Sequence, residues 1–184
     1  MTLNYDSIPD TLAHIRRVQT LLAEMQAKLS ARAIAHDTSK LESPEKEAFD
    51  FATPRLKSST YGSEEYKSFL ADLKPALDHH YAANSHHPEH FGYLECNICF
   101  EKLPLNYNAQ CPVCGNGQFT SRPNIGGMSL LDLVEMLCDW KAAGERHADG
   151  SIANSLEVNK ARFEITPQLA GILQNTAKEM GWLP

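Results

Sequence analysis

Four of the five cysteines stand in two short pairs whose spacing is typical of a zinc site. The first pair is Cys96 and Cys99, the second is Cys111 and Cys114, and eleven residues separate them. Each CxxC turn directs two thiolates at one tetrahedral ion, so two turns supply a complete set of four ligands. Gly115 follows the second pair and predicts the positive φ that such a turn uses. Four thiolates leave no open position on the ion, which predicts structural rather than catalytic zinc.

Two disulfides are the alternative interpretation of these cysteine pairs. Residues 1–10 contain no basic stretch followed by an apolar core, so the sequence predicts no secretory signal. We therefore expect a cytoplasmic protein, in which reduced cysteines bind metal.

Histidines are concentrated in one stretch of the chain. Five of the eight lie within twelve residues, and they are His79, His80, His86, His87 and His90. Solvated loop histidines are common, but so dense a group indicates ligands for a metal ion. His80 and His87 are seven residues apart and can lie on one side of a junction between helix and loop. His79 and His86 have the same spacing, so the register stays open.

A third set of candidate ligands includes the end of an apolar helical segment at residues 33–40. Here His36 and Asp37 are adjacent and offer one imidazole and one carboxylate that can bridge two ions. Mixed nitrogen and oxygen donors suit Mn, Fe, Co, Ni or Zn. Two further candidates lie in apolar helical patterns, His14 in the first helix and Asp139 in a later one. An acid among apolar residues is costly to bury unless it is paired or binds metal.

Outside the cysteine segment, the chain has the apolar periodicity of helices. Capping residues predict where several helices begin, with Ser7 before Pro9 and Ser129 before Asp132 as clear cases. Pro75 lies inside one helix and predicts a kink or a break there. The predicted helices cover residues 9 to about 25, 31–36, 45 onward, 64 to about 83, 130 to about 145, 152–163 and 167–180.

These patterns predict an all-α fold interrupted by one small module. Residues 1–92 and 121–184 form the helical bundle, and residues 93–120 form an inserted zinc-ribbon hairpin. The chain has 184 residues, which suits one such domain. Its 17 basic and 23 acidic residues give a net charge of −6, which argues against duplex nucleic acid as a partner. No apolar run reaches the roughly 20 residues that span a membrane, so no membrane association is expected.

The set formed by His14, His36, Asp37 and Asp139 resembles the H…HD…D signature of the HD-domain phosphohydrolase superfamily. The resemblance covers most of the chain outside the ribbon and includes Lys40 after the His-Asp pair. It implies an HD-like helical bundle in which those four side chains hold a divalent metal. The segment around Asp139 also looks like an uncharacterised HD-like family of phages and bacteria, which brings no settled activity.

Some HD subfamilies bind a second metal through two further histidines, and the histidine stretch is similar to that arrangement. The resemblance implies two histidines of this stretch as these ligands, with Asp37 bridging the two ions. We take His80 and His87 for these roles, with the His79 and His86 register still open and His90 as a further candidate. The site would then hold one or two ions of Mn, Fe, Co, Ni, Zn or Mg. Asp132 is a rival to Asp139 for the first ion, although capping alone explains its position three residues after a serine.

The same resemblance suggests catalytic roles for two residues besides Asp37. Lys40 could neutralise a phosphate, and Glu45 could lie near the metal and help to activate water. Each also has a plain structural explanation, a solvated lysine and an acid in the first turn of a helix.

Three functions are compatible with these residues. The resemblance implies a metal-dependent phosphohydrolase acting on a small-molecule phosphoester, with a nucleotide as the expected substrate class. A minority of HD-fold proteins with similar ligands instead carry a di-iron centre and cleave bonds with oxygen, and ligand count does not separate the two. The third function is a non-enzymatic binding module stapled by zinc. HD proteins are often dimers, so a homodimer is a further expectation.

Overall fold

The computed structural model describes residues 5–58, 64–146 and 150–184. These residues are mostly helical, with a small three-stranded sheet in the cysteine segment. The chain divides into two compact units, Met1–His36 and Asp37–Pro184. The elements are α1 (Ile8–Ala35), α2 (Glu45–Ser58), α3 (Glu64–Ala83), β1 (Tyr93–Cys96), β2 (Lys102–Pro104), β3 (Phe119–Arg122), α4 (Leu130–Gly144), α5 (Ile152–Arg162) and α6 (Pro167–Glu179).

The N-terminal unit contains α1, one continuous helix of 28 residues. The prediction of a separate helix at residues 31–36 is wrong, because residues 26–30 contain neither glycine nor proline and the helix continues through them. The helix begins directly after Ser7, as predicted, but a different side chain caps it. The Asp6 carboxylate accepts the N–H of Ile8 at 3.0 Å, and Ser7 makes no capping hydrogen bond. Within α1, all of which is described, no side chain is buried.

In the second unit, α2 packs against α3 through a small apolar cluster. Its buried members are Ala52 of α2 and Leu73 and Ala76 of α3. The sequence predicts a kink or a break at Pro75, and α3 runs through this residue without a break. A proline inside a helix costs roughly 3 kcal/mol through the lost hydrogen bond and the clash of its ring. Burial of Leu73 and Ala76 on either side of Pro75 offsets that cost.

A larger core joins α4, α5 and α6. As predicted, α4 begins at a capping box. The Ser129 hydroxyl accepts the N–H of Asp132 at 3.2 Å, and the Asp132 carboxylate accepts the N–H of Ser129 at 2.8 Å. The buried members of this core are Met136, Leu137, Ile152, Leu156, Phe163, Ile165 and Leu173. The core fixes the position of α4, which carries an acidic side chain of the candidate site.

The cysteine segment forms an antiparallel sheet in the order β2-β1-β3, one strand more than a simple hairpin. Tyr93 at the start of β1 pairs with Arg122 at the end of β3, so the two ends of the segment are neighbours. The N–H of Asn124, just after β3, donates to the carbonyl of Pro88, just before β1, at 2.9 Å. This hydrogen bond joins the two chain segments that flank the sheet. Arg122 also donates to the Glu95 carboxylate at 3.0 Å across the two strands.

No helix in the described parts of the chain combines the length and the apolar character needed to cross a membrane.

Candidate metal centre

Four side chains of the second unit bring potential metal ligands together. Asp37, His80, His86 and His87 each offer one ligand atom, and these atoms all lie within 4.8 Å of one another. The Nε2 atoms of His80 and His87 are 2.9 Å apart. Asp37 Oδ1 lies 3.3 Å from His80 Nε2 and 3.5 Å from His86 Nε2. His80 and His86 are only 1% and 2% exposed, so the donor atoms meet inside the protein.

Asp37 has an unusual backbone conformation just after α1 in the chain. Its φ of 56° and ψ of 14° lie in the left-handed region, which aspartate and asparagine tolerate better than most residues. A 3-10 turn at Thr38–Leu41 follows, in which the N–H of Lys40 donates to the Asp37 carbonyl at 3.0 Å. The Lys40 ammonium donates to Asp37 Oδ2 at 2.6 Å, while Oδ1 faces the imidazoles.

The three histidines come from the end of α3 and the loop that follows it. His80 lies in the last turn of α3, and His86 and His87 lie in the loop. Asn84 closes the junction, because its backbone N–H and its side-chain amide both donate to the His80 carbonyl, at 3.0 and 2.8 Å. The amide also donates to Ser39 Oγ at 2.9 Å, which links the loop to the 3-10 turn.

Carboxylates stand behind two of the three imidazoles. Glu45 is fully buried, and its Oε2 lies 2.9 Å from Nδ1 of His80. Its Oε1 lies 2.7 Å from Nδ1 of the half-exposed His79. Separately, Glu135 Oε1 lies 3.0 Å from Nδ1 of His86. A carboxylate at Nδ1 favours the tautomer in which Nδ1 carries the proton and Nε2 is available to a metal.

Burial and hydrogen bonding shift the pKa values of His87 and Glu45 in the directions that favour metal binding. Burial, helped by the two neighbouring imidazoles, lowers the pKa of His87 to about 2. Burial alone would raise the pKa of Glu45, but hydrogen bonds from two histidines and Ser39 outweigh it and lower that pKa. At neutral pH His87 is therefore neutral and Glu45 is ionised.

This donor set fits a divalent transition metal. Imidazole nitrogens suit Zn, Fe, Co or Ni, and the added carboxylate oxygen also suits Mn. Asp37 and Asp139 offer carboxylate oxygens within 4.8 Å of each other, so Asp37 has a second potential ligand beside it.

The ribbon holds a second cluster of potential metal ligands. Its members are Cys96, Cys99, Cys111 and Cys114, whose ligand atoms lie within 4.8 Å of one another. Two sulfur–sulfur distances of 3.5 Å are too long for disulfides, and all five cysteines of the chain are free. The predicted positive φ of Gly115 is confirmed at 73°, and Phe100 has a φ of 59° after the first pair. The four cysteines are therefore positioned to bind a metal ion such as zinc.

Residues 3–179 match a protein family described as a family of unknown function, DUF5662. The chain belongs to the DUF5662 family. No curated protein and no solved structure matches it. Because the family description states no activity, a function for this DUF5662 chain must be argued from its own residues.

The structure brings several predicted ligands of the DUF5662 chain together. Asp37, His80 and His87 share one cluster, and Asp139 has an oxygen within 4.8 Å of one from Asp37. The rival Asp132 uses one oxygen in the cap of α4, and its other oxygen accepts a serine hydroxyl at 2.6 Å. Asp139 is therefore the better candidate of the two for a metal ligand.

Other predicted residues of the DUF5662 chain have different positions. His14 and His36 belong to the N-terminal unit, so their assignment as ligands stays a prediction. Glu45 stands behind His80 with no exposed surface, which favours an orienting role over the predicted activation of water. The Lys40 side chain is one-third exposed beside the cluster and forms an ion pair with Asp37.

Two residues of the centre lie outside the predicted ligand set. His86 belongs to the alternative register, yet its ring centroid is only 4.1 Å from that of His87, so the loop contributes both rings. Glu135 is missed altogether by the sequence prediction. It lies three residues after Asp132 and four before Asp139, and this repeat of acids along one face of α4 is the signal that points to it.

Exchanging Glu135 for glutamine is expected to weaken metal binding at this centre by roughly 10–100-fold, because Nδ1 of His86 then faces a neutral partner. The measurement is a calorimetric titration of Co²⁺ into protein whose ribbon already holds zinc. Glu145→Gln, at an exposed position just after the same helix, is the matched control and should keep the wild-type affinity. Equal affinities in the two variants would show that Glu135 does not support the ligand.

Proposed function

We propose that this chain is a metal-dependent phosphohydrolase with an HD-type centre. The observation that carries the proposal is the convergence of the Nε2 atoms of His80 and His86 on Asp37 Oδ1, with Nε2 of His87 2.9 Å from that of His80. The Glu45 carboxylate lies at Nδ1 of His80, on the far side of that ring. The ribbon has the all-cysteine ligands of a structural ion. The histidine cluster has the nitrogen and oxygen ligands that hydrolytic metal enzymes use, which supports a catalytic role.

In this proposal, Asp37 and the three clustered histidines hold one ion. A divalent transition metal bound there lowers the pKa of water and polarises a phosphoryl oxygen. Glu45 and Glu135 keep two of the imidazoles in the tautomer that binds metal. The proximity of the Asp37 and Asp139 carboxylates supports another ion beside this one, which corresponds to the principal metal of the HD resemblance.

Lys40 supplies positive charge for the substrate. Its ammonium lies 2.6 Å from Asp37 Oδ2 and is partly exposed. A phosphoester is an anion, so a cation next to the metal ligands stabilises it as charge develops in the transition state. The HD resemblance is the support for a nucleotide as the substrate. The ion at the four cysteines is zinc in this proposal, and its role is structural.

Phosphate release tests this function. Purified protein is incubated with nucleoside mono-, di- and triphosphates and with cyclic dinucleotides, the latter with a coupled phosphatase, in Mg, Mn, Co, Ni or Fe. We expect at least one substrate to be turned over with added metal and none without it. A protein that binds metal at the histidine cluster yet releases no phosphate contradicts the proposal. If such a protein also shows visible absorption that depends on iron, the result favours the alternative of a di-iron oxygenase.

A further inference from the structure

The His87 ring of the metal centre is held differently from the other two imidazoles. Carboxylates lie at Nδ1 of His80 and His86, but no carboxylate in the described parts of the chain pairs with Nδ1 of His87. The His87 ring packs against other rings instead. Its centroid lies 4.1 Å from that of His86 and 5.0 Å from that of Tyr81. The contact with Tyr81 ties His87 to a residue outside the ligand cluster.

Tyr81 lies one residue after His80 in the last turn of α3. Successive residues of a helix point about 100° apart, so these two side chains occupy different faces of α3. His80 contacts Glu45 of α2, and Tyr81 contacts the loop that follows α3. The same loop is fastened to the Tyr81 backbone, because Nδ1 of His90 donates to the Tyr81 carbonyl at 3.0 Å. His90, a candidate ligand in the sequence, therefore joins the loop to the helix.

Arg162 links Tyr81 to the larger helical core. It is the last residue of α5, and its guanidinium hydrogen-bonds to Tyr81 and donates to Glu89 Oε1 at 2.8 Å. The N–H donors of a guanidinium lie in one rigid plane, so a single arginine can fix two acceptors at once. The Arg162 side chain is half exposed, so its contribution is to geometry more than to stability. We call Tyr81, Glu89 and Arg162 the tyrosine clamp.

We propose that Tyr81 is a positioning residue of the metal centre, which holds the His87 ring so that its Nε2 faces the ion. In this arrangement Arg162 and Glu89 hold the Tyr81 ring in turn. A separation of 5.0 Å and an angle of 57° between the Tyr81 and His87 rings lie in the range of favourable aromatic pairs. The inference rests on the metal centre of the proposed function, but it concerns metal binding alone and needs no phosphoester.

Co²⁺ titration of the full chain, followed by visible absorption with zinc already in the ribbon, tests the role of Tyr81. Tyr81→Leu keeps an apolar side chain but removes the ring. We expect its Co²⁺ affinity to fall about 10-fold and its visible bands to change, because His87 no longer binds the ion. Tyr81→Phe keeps the ring and should restore the wild-type bands, with an affinity within about threefold of the wild type. Arg162→Met should show the change in the bands to a smaller extent.

Tyr107→Leu is the matched control for Tyr81→Leu. The Tyr107 ring packs against Phe119 in the ribbon with centroids 6.1 Å apart, and its hydroxyl donates to the Gln110 carbonyl at 2.8 Å. The control therefore removes a packed ring and a hydrogen bond away from the histidine cluster. Its Co²⁺ affinity and visible bands should match the wild type. Circular dichroism and ribbon zinc content check that each variant is folded.

A folded Tyr81→Leu variant with the wild-type affinity and visible bands overturns the inference. Equal losses in Tyr81→Phe and Tyr81→Leu also overturn it, because the hydroxyl rather than the ring would then act. Wild-type bands and affinity in Arg162→Met would remove Arg162 from the tyrosine clamp. Tight Co²⁺ binding without phosphate release would contradict the proposed function alone. A wild type that binds no Co²⁺ beyond the ribbon would contradict both.

Discussion

Replacing Asp37 with asparagine is expected to abolish metal binding at the histidine cluster and to lower metal-dependent phosphoester hydrolysis at least about a thousandfold. Asparagine keeps the size of the side chain and tolerates the φ of 56°, so the backbone should stay in place. The substitution removes the negative charge that would bind the metal ion and that pairs with the Lys40 ammonium. Alanine at this position would destabilise the left-handed backbone conformation by roughly 1–2 kcal/mol. An alanine variant would therefore combine a loss of stability with the loss of the metal ligand.

The measurement for Asp37→Asn is metal content per chain after dialysis, together with phosphate release. Asp50→Asn is the matched control, because Asp50 is exposed on α2 and pairs with Lys46 at the surface, where such pairs contribute little. The control should match the wild type in both measurements. Full metal content and full turnover in Asp37→Asn would remove Asp37 from the centre.

The second large effect is expected in the ribbon, where Cys111→Ser should release the metal and unfold β1, β2 and β3. These strands have only four, three and four residues, so they bury too little apolar surface to fold alone. Structural zinc supplies about 10–16 kcal/mol of apparent binding free energy in small zinc-dependent domains. We expect amide hydrogen exchange at residues 93–122 to become fast, while amides of Met136 and Leu137 in the helical core stay protected.

Cys138→Ser provides the control for this experiment. It makes the same chemical change at an exposed cysteine of α4, outside the ribbon. Zinc content and exchange should be unchanged in this variant. Protected amides throughout β1–β3 in a zinc-free Cys111→Ser protein would contradict a structural role for the metal.

Helix ends that are set by residues close in the sequence could be predicted from the sequence alone. The Ser129 and Asp132 side chains begin α4 as their spacing predicts, and the hydroxyl of Thr166 accepts a backbone N–H at the start of α6. No break occurs at Pro75, because the local cost of the proline is offset by packing between α2 and α3. Such packing joins residues that are distant in the sequence, which periodicity does not reveal.

The candidate site could be predicted as residue types but only partly as geometry. The positions of Asp37, His80 and His87 in the sequence pointed to ligands, yet two histidine registers remained open. The direction of the loop after α3 depends on contacts such as that of Asn84 with Ser39, which are 45 residues apart. Spacing within the loop carries no information on such contacts, so the number of histidines in the cluster could not be foreseen.

The ribbon begins and ends at Tyr93 and Arg122, which pair side by side in the sheet. Because its two ends are neighbours, the whole segment can be inserted or deleted as one unit, which we call the cassette. A short loop between the flanking residues can replace it without moving the packed helices. On one flank lies the loop with His86, and on the other lies α4 with Glu135. Relatives without the cassette are therefore expected to keep this histidine–carboxylate pair and to join its two flanks by a tight turn.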